Sequence, residues 1–285
     1  MNPYHHFVTE HARLIAEGLR YPLGGFPPRP RPEIRNDAPK GLIFSPHPDD
    51  EVIIGALALR LMREANWRVI NVAVTHGSKK ERQAERLHEL KGCCDCIGFE
   101  LLQTAPSGLE KVTLDTRKAD PKHWASSVEV IASILANQQP KVILFPHELD
   151  WNSAHIGTHW LVMDALKEMA PSFSCFTLET EFWGQNQSPN LMVELSAEHA
   201  ADLITALTFH VKEVQRNPYH LTMPAGLIDN VRRGAELVGG QGGVAPKFDF
   251  AVLYRLRRWS NGALAETLHQ GRFLPCDENA ARLFE

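Results

Sequence analysis

The chain has 285 residues and a formal net charge of −4, from 30 lysines and arginines against 34 acidic residues. This length suits one large α/β domain or two small ones, and the nearly neutral balance argues against a broad nucleic-acid-binding surface. No apolar run approaches the roughly 20 residues that span a bilayer, the first residues lack a signal-peptide pattern, and five cysteines indicate reduced thiols. We therefore expect a cytoplasmic protein that neither binds nucleic acid nor spans a membrane.

The N-terminal segment differs in composition from the rest of the chain. Apolar residues at helical spacing predict a helix over 4–21, and the proline- and glycine-rich stretch 22–40 predicts an arm that lies on the surface. We therefore divide the chain into an N-terminal helix and arm, 1–39, and a single catalytic domain, 40–285. The arm either covers an edge of the sheet or binds a second subunit in a homo-oligomer.

Strands and helices alternate after the arm. Apolar runs predict strands over 41–45, 68–77, 99–104 and 141–147, and helical patterns lie between and after them, over 50–65, 79–98, 123–138 and 155–170. Such alternation predicts an α/β fold with a Rossmann-like, mostly parallel sheet and helices on both faces. The later part predicts strands over 176–183, 191–195 and 252–258, a helix over 197–216, and rim loops over 105–122, 184–190 and 217–247.

One histidine and three acids crowd the turn after the first strand. His47, Asp49, Asp50 and Glu51 lie where the carboxyl end of a strand meets a helix, which is where open α/β sheets place their sites. Close carboxylates repel one another unless positive charge lies among them, and a divalent cation supplies more of it than a helix N-terminus. Imidazole and carboxylate ligands suit zinc. The alternative is an acid-rich helix cap beside a surface histidine.

A second segment with histidines follows the strand 141–147. His155 and His159 are four residues apart and therefore share one helical face. Two strand ends that each deliver ligand-type side chains predict a metal site with three protein ligands and an open position. His155, at the start of the helix, is the better ligand, whereas His159 lies one turn further on, where core histidines are common.

These residues resemble the LmbE-like, or PIG-L, family of zinc-dependent N-deacetylases over roughly 41–260. The motif that carries the resemblance is HPDDE at 47–51 after a strand, together with the downstream histidine loop that opens a helix. The resemblance implies one zinc ion held by His47, Asp50 and His155, with Asp49 as general base. The helix around Arg86 and the late His210 are supporting matches.

The sequence departs from the family at one catalytic position. The family's downstream motif is usually H-P-D-H, and Asn152 stands at its first histidine. An amide can donate a hydrogen bond to an oxyanion but cannot transfer a proton, so the general acid is Asp49 or another histidine, His76, His147 or His159. The resemblance also implies that Arg86 lies near the substrate, and Trp151 is a candidate for stacking on a sugar ring.

The expected reaction is removal of an N-acetyl group from an amino sugar or glycoconjugate, with metal-bound water as nucleophile. Two alternatives stay open. The same family includes a zinc hydratase of an unsaturated dicarboxylate, and the Asn152 departure favours a non-catalytic protein that binds metal or sugar.

Overall fold

The computed structural model describes residues 2–285, which form nine strands and ten α-helices. The strands are β1 Lys40–Ser45, β2 Arg68–Ala73, β3 Glu100–Gln103, β4 Val142–Pro146, β5 Cys175–Thr180, β6 Leu191–Leu195, β7 Phe250–Ser260, β8 Ala263–Glu266 and β9 Arg272–Leu274. The helices are α1 Pro3–Gly18, α2 Asp50–Ile53, α3 Ala56–Ala65, α4 Gln83–Ile97, α5 Leu114–Ala119, α6 Pro121–Gln138, α7 Ser153–Lys167, α8 Ala197–Leu207, α9 Val211–Arg216 and α10 Tyr219–Leu237.

The strands form a single sheet in the order β3-β2-β1-β4-β5-β7-β6-β9, with β8 on β7. The pairs from β3 to β5 are parallel, whereas β7 is antiparallel to both β5 and β6. The predicted α/β fold with a mostly parallel, Rossmann-like sheet is therefore confirmed. Because β1 and β4 are neighbours but not consecutive, the chain reverses direction across the sheet between them, which places a crevice at their carboxyl ends.

Alternate side chains of β1 point to opposite faces of the sheet, and both faces are buried. Ile43 packs in a cluster with apolar residues of α3, α4 and α8, whereas Leu42 and Phe44 pack in a second cluster with α6 and α7. Burying each such side chain contributes about 1.5–3 kcal/mol. The uninterrupted apolar runs of the parallel strands follow from this double burial.

The predicted continuous helix 50–65 is wrong, because the chain is interrupted at Ile54 and Gly55 between α2 and α3. The Tyr254 hydroxyl, on β7, accepts from the Leu57 N–H at 3.2 Å and donates to the Ile54 carbonyl at 2.6 Å. A side chain inserted among the helical hydrogen bonds in this way breaks a helix. The sequence carries no local sign of a partner that lies 200 positions away.

The predicted helix 197–216 is also interrupted, between α8 and α9. The Thr208 hydroxyl donates a hydrogen bond to the Thr205 carbonyl and accepts one from the Gly24 N–H. Thr208 is therefore hydrogen-bonded both to the preceding turn of the helix and to the N-terminal arm. His210 then leaves the helix and is fully buried against Glu51.

The predicted rim loop 217–247 is wrong over most of its length, because it contains α10. Pro218 at the N-cap and Pro224 inside the helix obscure the helical pattern. Leu227, Val231 and Ala235 recur every four residues and form the buried face of α10.

The N-terminal segment has the predicted helix and arm. α1 exposes apolar side chains such as Phe7 and Leu14, and no helix or strand occurs over 19–39. The arm lies against α4. There the Arg31 guanidinium donates to the Asp95 carbonyl at 2.8 Å, and the backbone N–H of Arg29 donates to the Cys96 carbonyl at 3.0 Å. The division at residue 40 and the homo-oligomer stay predictions. Within residues 2–285, no helix has the length and apolar character that crossing a membrane requires.

Candidate metal centre

The turn between β1 and α2 carries the first group of site residues. Asp49 precedes α2 with φ 117°, in the left-handed region that residues other than glycine rarely adopt. Such a backbone conformation costs about 1–3 kcal/mol and persists where surrounding structure enforces it. The His47 N–H donates to Oδ2 of Asp50 at 2.9 Å, which closes the turn and brings the two side chains together.

The second group lies at the start of α7, after β4. Asn152 is the N-cap of α7, and its Oδ1 accepts from the Ala154 N–H at 2.9 Å. The cap sets where the helix begins, and so places His155 in its first turn, facing the turn after β1. Phe182 packs edge-on against the His155 ring, with 4.8 Å between ring centroids.

Three ligand atoms from these two groups meet at one point. Nδ1 of His47 lies 3.2 Å from Nε2 of His155 and 3.6 Å from Oδ2 of Asp50, and the last two atoms are 3.3 Å apart. A tetrahedral zinc ion with bonds of about 2.0–2.2 Å separates its ligands by about 3.3 Å. The other oxygen of Asp50 is buried without a hydrogen-bond partner. The donor set therefore fits a divalent cation with a fourth position left open.

The pKa values of the ligands agree with a site built for positive charge. Burial raises the pKa of Asp50, but the facing His155 and His47 outweigh it and hold that pKa well below its ordinary value. Burial lowers the pKa of His155, but Asp50 and Asp150 outweigh it and raise the pKa to about 9. Burial also lowers the pKa of His47, which favours the neutral imidazole that binds metals.

Asp150 contacts the candidate ligand His155 and was missed in the sequence analysis. Its Oδ2 lies 3.4 Å from Nδ1 of His155, the ring nitrogen that faces away from the ligand cluster. The carboxylate is fixed in turn by the N–H groups of Asn152, Trp183 and Gly184, at 2.9, 3.3 and 3.2 Å. A carboxylate behind a metal-binding histidine fixes the tautomer and raises the basicity of the ligand. The sequence signal that could have identified Asp150 is an acidic residue five positions before the candidate ligand His155.

Asp49 lies beside the ligand cluster without joining it. The Tyr219 hydroxyl donates to its Oδ2 at 2.6 Å, and Nη2 of Arg86 lies 3.9 Å from its Oδ1. Burial first, and then the neighbouring Asp50 carboxylate, raise the pKa of Asp49 to about 7 in the metal-free protein. A carboxylate with a raised pKa can accept a proton near neutral pH.

Two pockets meet at the ligand cluster, because His47 and Asn152 line both. The first measures about 420 Å³ and combines aromatic with charged side chains, namely Trp151, Trp183, Tyr219, Arg86, Glu213 and Arg216. The second measures about 470 Å³, and its lining includes the polar and charged side chains of Thr75, Ser78, Lys80, Gln83, Glu110 and Lys111. The cluster is therefore reachable from two sides.

Besides His47 and Asp49, three of the predicted site residues line the first pocket. Arg86 donates through Nη2 to the Pro48 carbonyl at 2.8 Å, and Trp151 is 70% exposed with its ring near that of Trp183. Asn152 uses its amide oxygen for the cap, and among the described residues its Nδ2 has no protein acceptor within hydrogen-bond range. That N–H group is free to donate into the pocket.

The three remaining histidines lie outside the ligand cluster. His76 is buried, and burial followed by the nearby Arg86 lowers its pKa. Nδ1 of His159 lies 2.9 Å from the Pro146 carbonyl oxygen, and burial lowers the pKa of His159 to about 4. Nε2 of His147 lies 2.9 Å from the Gly184 carbonyl oxygen, within hydrogen-bond distance. Direct roles for these histidines in catalysis stay predictions.

Trp183 and Tyr219 are pocket residues that the sequence analysis missed. Both rings lie edge to face, with 5.3 Å between centroids, and both come from the part of the chain taken as rim loops or their edges. No motif marks either residue, since an aromatic side chain in such a segment has many structural roles.

Comparison with known proteins finds a family model that matches part of the chain. Residues 42–166 match the PIG-L family, described as GlcNAc-PI de-N-acetylase. The search of curated proteins found no match.

Several solved structures share the fold at low sequence identity. The 4-carboxy-2-hydroxymuconate hydratase of Pseudomonas putida is 14% identical with a TM-score of 0.57, over 76% of this chain and 95% of the hydratase. The N,N′-diacetylchitobiose deacetylase of Pyrococcus horikoshii is 16% identical with a TM-score of 0.55, over 88% and 92%. A conserved protein of Thermus thermophilus is 16% identical with a TM-score of 0.56, over 75% and 93%.

The matched segment begins in β1 and ends in α7, so it contains both groups of ligand residues described above. The predicted resemblance to the PIG-L, or LmbE-like, family is therefore confirmed over residues 42–166.

Proposed function

We propose that the protein is a zinc-dependent hydrolase that removes the N-acetyl group of an amino sugar or glycoconjugate. The observation that carries the proposal is the cluster of His47, Asp50 and His155 with the Asp49 carboxylate beside it and a pocket on each side. The match of residues 42–166 to the PIG-L family and the fold shared with a chitobiose deacetylase support the same class of reaction.

His47, Asp50 and His155 would hold the cation. A divalent cation in such a site lowers the pKa of a coordinated water to about 7 and polarises a carbonyl oxygen. Asp150 keeps His155 oriented as a ligand through its contact with Nδ1.

The residues of the chain supply the proton transfers and part of the charge stabilisation. Asp49 accepts the proton of the attacking water, a step worth about 10²–10⁴-fold in rate. The amide Nδ2 of Asn152 donates to the oxyanion that develops on the acetyl carbonyl. Asp49 then returns the proton to the amine nitrogen as the C–N bond breaks, which releases acetate and a free amine. This assignment needs no histidine at position 152.

The pockets indicate an extended substrate. The indole rings of Trp151 and Trp183 line the first pocket and could stack on a sugar, and Arg86 lines the same pocket. The second pocket has room for a further polar unit. An acetylated amino sugar joined to such a unit would use both.

The test is acetate release by the zinc-loaded protein from a panel of N-acetylated amino sugars and their conjugates, with and without a chelator. Release that the chelator abolishes supports the proposal. Hydration of an unsaturated dicarboxylate without acetate release would establish the hydratase alternative, which the shared fold alone does not separate from deacetylation. Binding of acetylated sugars with no turnover would establish the non-catalytic alternative.

A further inference from the structure

The peptide unit between Pro48 and Asp49 is held at both of its polar ends. Nη2 of Arg86 donates to the Pro48 carbonyl at 2.8 Å, and the Asp49 N–H donates to Oε2 of Glu51 at 2.9 Å. Each hydrogen bond involves one ionisable side chain, and charge-assisted hydrogen bonds are the stronger kind. This peptide plane cannot rotate without breaking both.

The restraint matters because Asp49 has φ 117°. Residues other than glycine rarely adopt a positive φ of this size, so the local sequence alone does not hold Asp49 in this conformation. If the peptide rotated, the Asp49 carboxylate would leave the Tyr219 hydroxyl and the pocket wall that it now shares with His47. Backbone strain of this kind is found where a site requires a particular side-chain direction.

His210 holds the far side of Glu51. Its Nε2 lies 2.8 Å from Oε1 of Glu51, and both residues are fully buried. The interruption between α8 and α9 delivers His210 to this position. One carboxylate oxygen of Glu51 therefore faces the Asp49 peptide and the other faces a fixed partner on a different part of the chain.

We propose that Glu51 and His210, together with Arg86, are positioning residues that form a clamp and hold Asp49 in its productive backbone conformation. The effect of this clamp on turnover rests on the proposed function, whereas its effect on the Asp49 backbone does not. The ligands are anchored separately, since Asp50 accepts from the His47 N–H and His155 contacts Asp150. Loss of the clamp should therefore impair turnover and leave the metal bound.

The same cluster has a second chemical interpretation. Glu51, Cys93 and His210 bring three ligand-type atoms within 4.8 Å of one another. The direct contact of His210 with Glu51 at 2.8 Å already pairs two of these groups, and the second Glu51 oxygen is used by the Asp49 N–H. These contacts favour the clamp over a second metal site.

The experiment compares Glu51→Met, Glu51→Gln and His210→Phe with Val52→Ala, a buried α2 residue with no side-chain link to Asp49. In Glu51→Gln, the amide oxygen can still accept from the Asp49 N–H and the amide N–H₂ can donate to His210, so this variant should retain the clamp. Crystal structures give φ of Asp49 and its distance to Tyr219. Metal analysis gives the zinc content, and acetate release gives kcat and KM.

We expect Glu51→Met and His210→Phe to bind one zinc and to lose kcat by about 10²-fold with little change in KM, as misplaced catalytic groups do. Their Asp49 should leave the left-handed region, and Glu51→Gln and Val52→Ala should resemble the wild type in every readout. Asp49 unmoved in Glu51→Met, or moved with kcat unchanged, would overturn the proposal. So would a second zinc equivalent that Cys93→Ser removes. If the wild type releases no acetate from any substrate, the proposed function fails while the crystal structures still decide whether the clamp holds Asp49.

Discussion

The hydroxyl of Tyr219 donates a 2.6 Å hydrogen bond to the Asp49 carboxylate across 170 positions of sequence. The two residues come from different parts of the fold, the turn after β1 and the first residue of α10. The contact joins the segment that carries the metal ligands to the helix that walls the aromatic pocket.

Removal of this hydroxyl should weaken catalysis without loss of the metal. In Tyr219→Phe the ring keeps its edge-to-face contact with Trp183, while Asp49 loses a hydrogen bond that lowers its pKa. We expect kcat to fall about 10-fold, with the acid limb of the pH–rate profile moved to higher pH, because a hydrogen bond to a charged group contributes about 1.5–3 kcal/mol. The pH dependence of acetate release measures both. An unchanged profile would show that the contact does not influence the base.

Replacement of the proposed base should separate metal binding from chemistry. Asp49→Asn keeps the size of the side chain and can still receive the Tyr219 hydrogen bond, but it cannot take a proton. We expect zinc content equal to that of the wild type and a fall in kcat of about 10²–10⁴-fold. Metal analysis and steady-state kinetics on the same preparation decide the outcome. A variant with nearly full turnover would mean that another group accepts the proton.

The two roles of Asn152 can be separated by two substitutions. Asn152→Asp retains an oxygen that can cap α7 but has no N–H to donate to an oxyanion, whereas Asn152→Ala loses both functions. We expect kcat to fall about 10²–10³-fold in each, with a further loss of about 1 kcal/mol of folding stability in Asn152→Ala only. Denaturant unfolding and acetate release check the two effects. Equal kcat in Asn152→Asp and wild type would remove Asn152 from the mechanism.

Asp150 should control metal affinity from outside the ligand set. Its carboxylate lies behind His155 and is held by three backbone N–H groups. We expect Asp150→Asn to weaken zinc binding about 10–100-fold, as loss of such partners does elsewhere. Competition with a chromophoric chelator measures the affinity. The control is Asp164→Asn, which lies on α7 with His155 but is paired with Arg117, and its zinc affinity should match that of the wild type.

Buried His159 should make the protein less stable in acid. Burial lowers its pKa from 6.5 to about 4, so the unfolded chain binds the proton more readily than the folded one. The stabilisation from neutral His159 is therefore full above pH 6.5 and is lost as the pH falls from 6.5 through 4, by up to about 3 kcal/mol. His159→Gln should flatten this part of the stability curve, and His6→Gln, at an exposed position on α1, should leave it unchanged. A curve for His159→Gln parallel to the wild type would contradict the assignment.

The parallel part of the fold was predictable because its signals are local and repeated. β1, β2 and β4 are apolar on both faces, and this double burial appears in the sequence as uninterrupted runs such as Leu42–Phe44. The helix breaks were not predictable in the same way. Tyr254 interrupts the predicted helix 50–65, and at the break in the predicted helix 197–216 His210 contacts Glu51. Each break therefore involves a residue that is distant in sequence.

The candidate site shows the same division. His47, Asp50 and His155 were found because each follows a strand end in a run of ligand-type residues, and they lie together in the structure. Trp183 and Tyr219 were missed because only the folded chain brings them to the pocket. α10 was concealed by Pro218 and Pro224, and with it the partner of Asp49.

The position of α10 outside the segment 42–166 has a consequence for how such proteins can diverge. The segment 42–166 carries the three candidate metal ligands, and the later part of the chain supplies Trp183 and the Tyr219 hydroxyl that donates to Asp49. Substitutions in the later half could therefore exchange one sugar for another while leaving the hydrolytic chemistry intact. A library randomised only in the loop before β6 should yield variants of altered preference that still bind zinc.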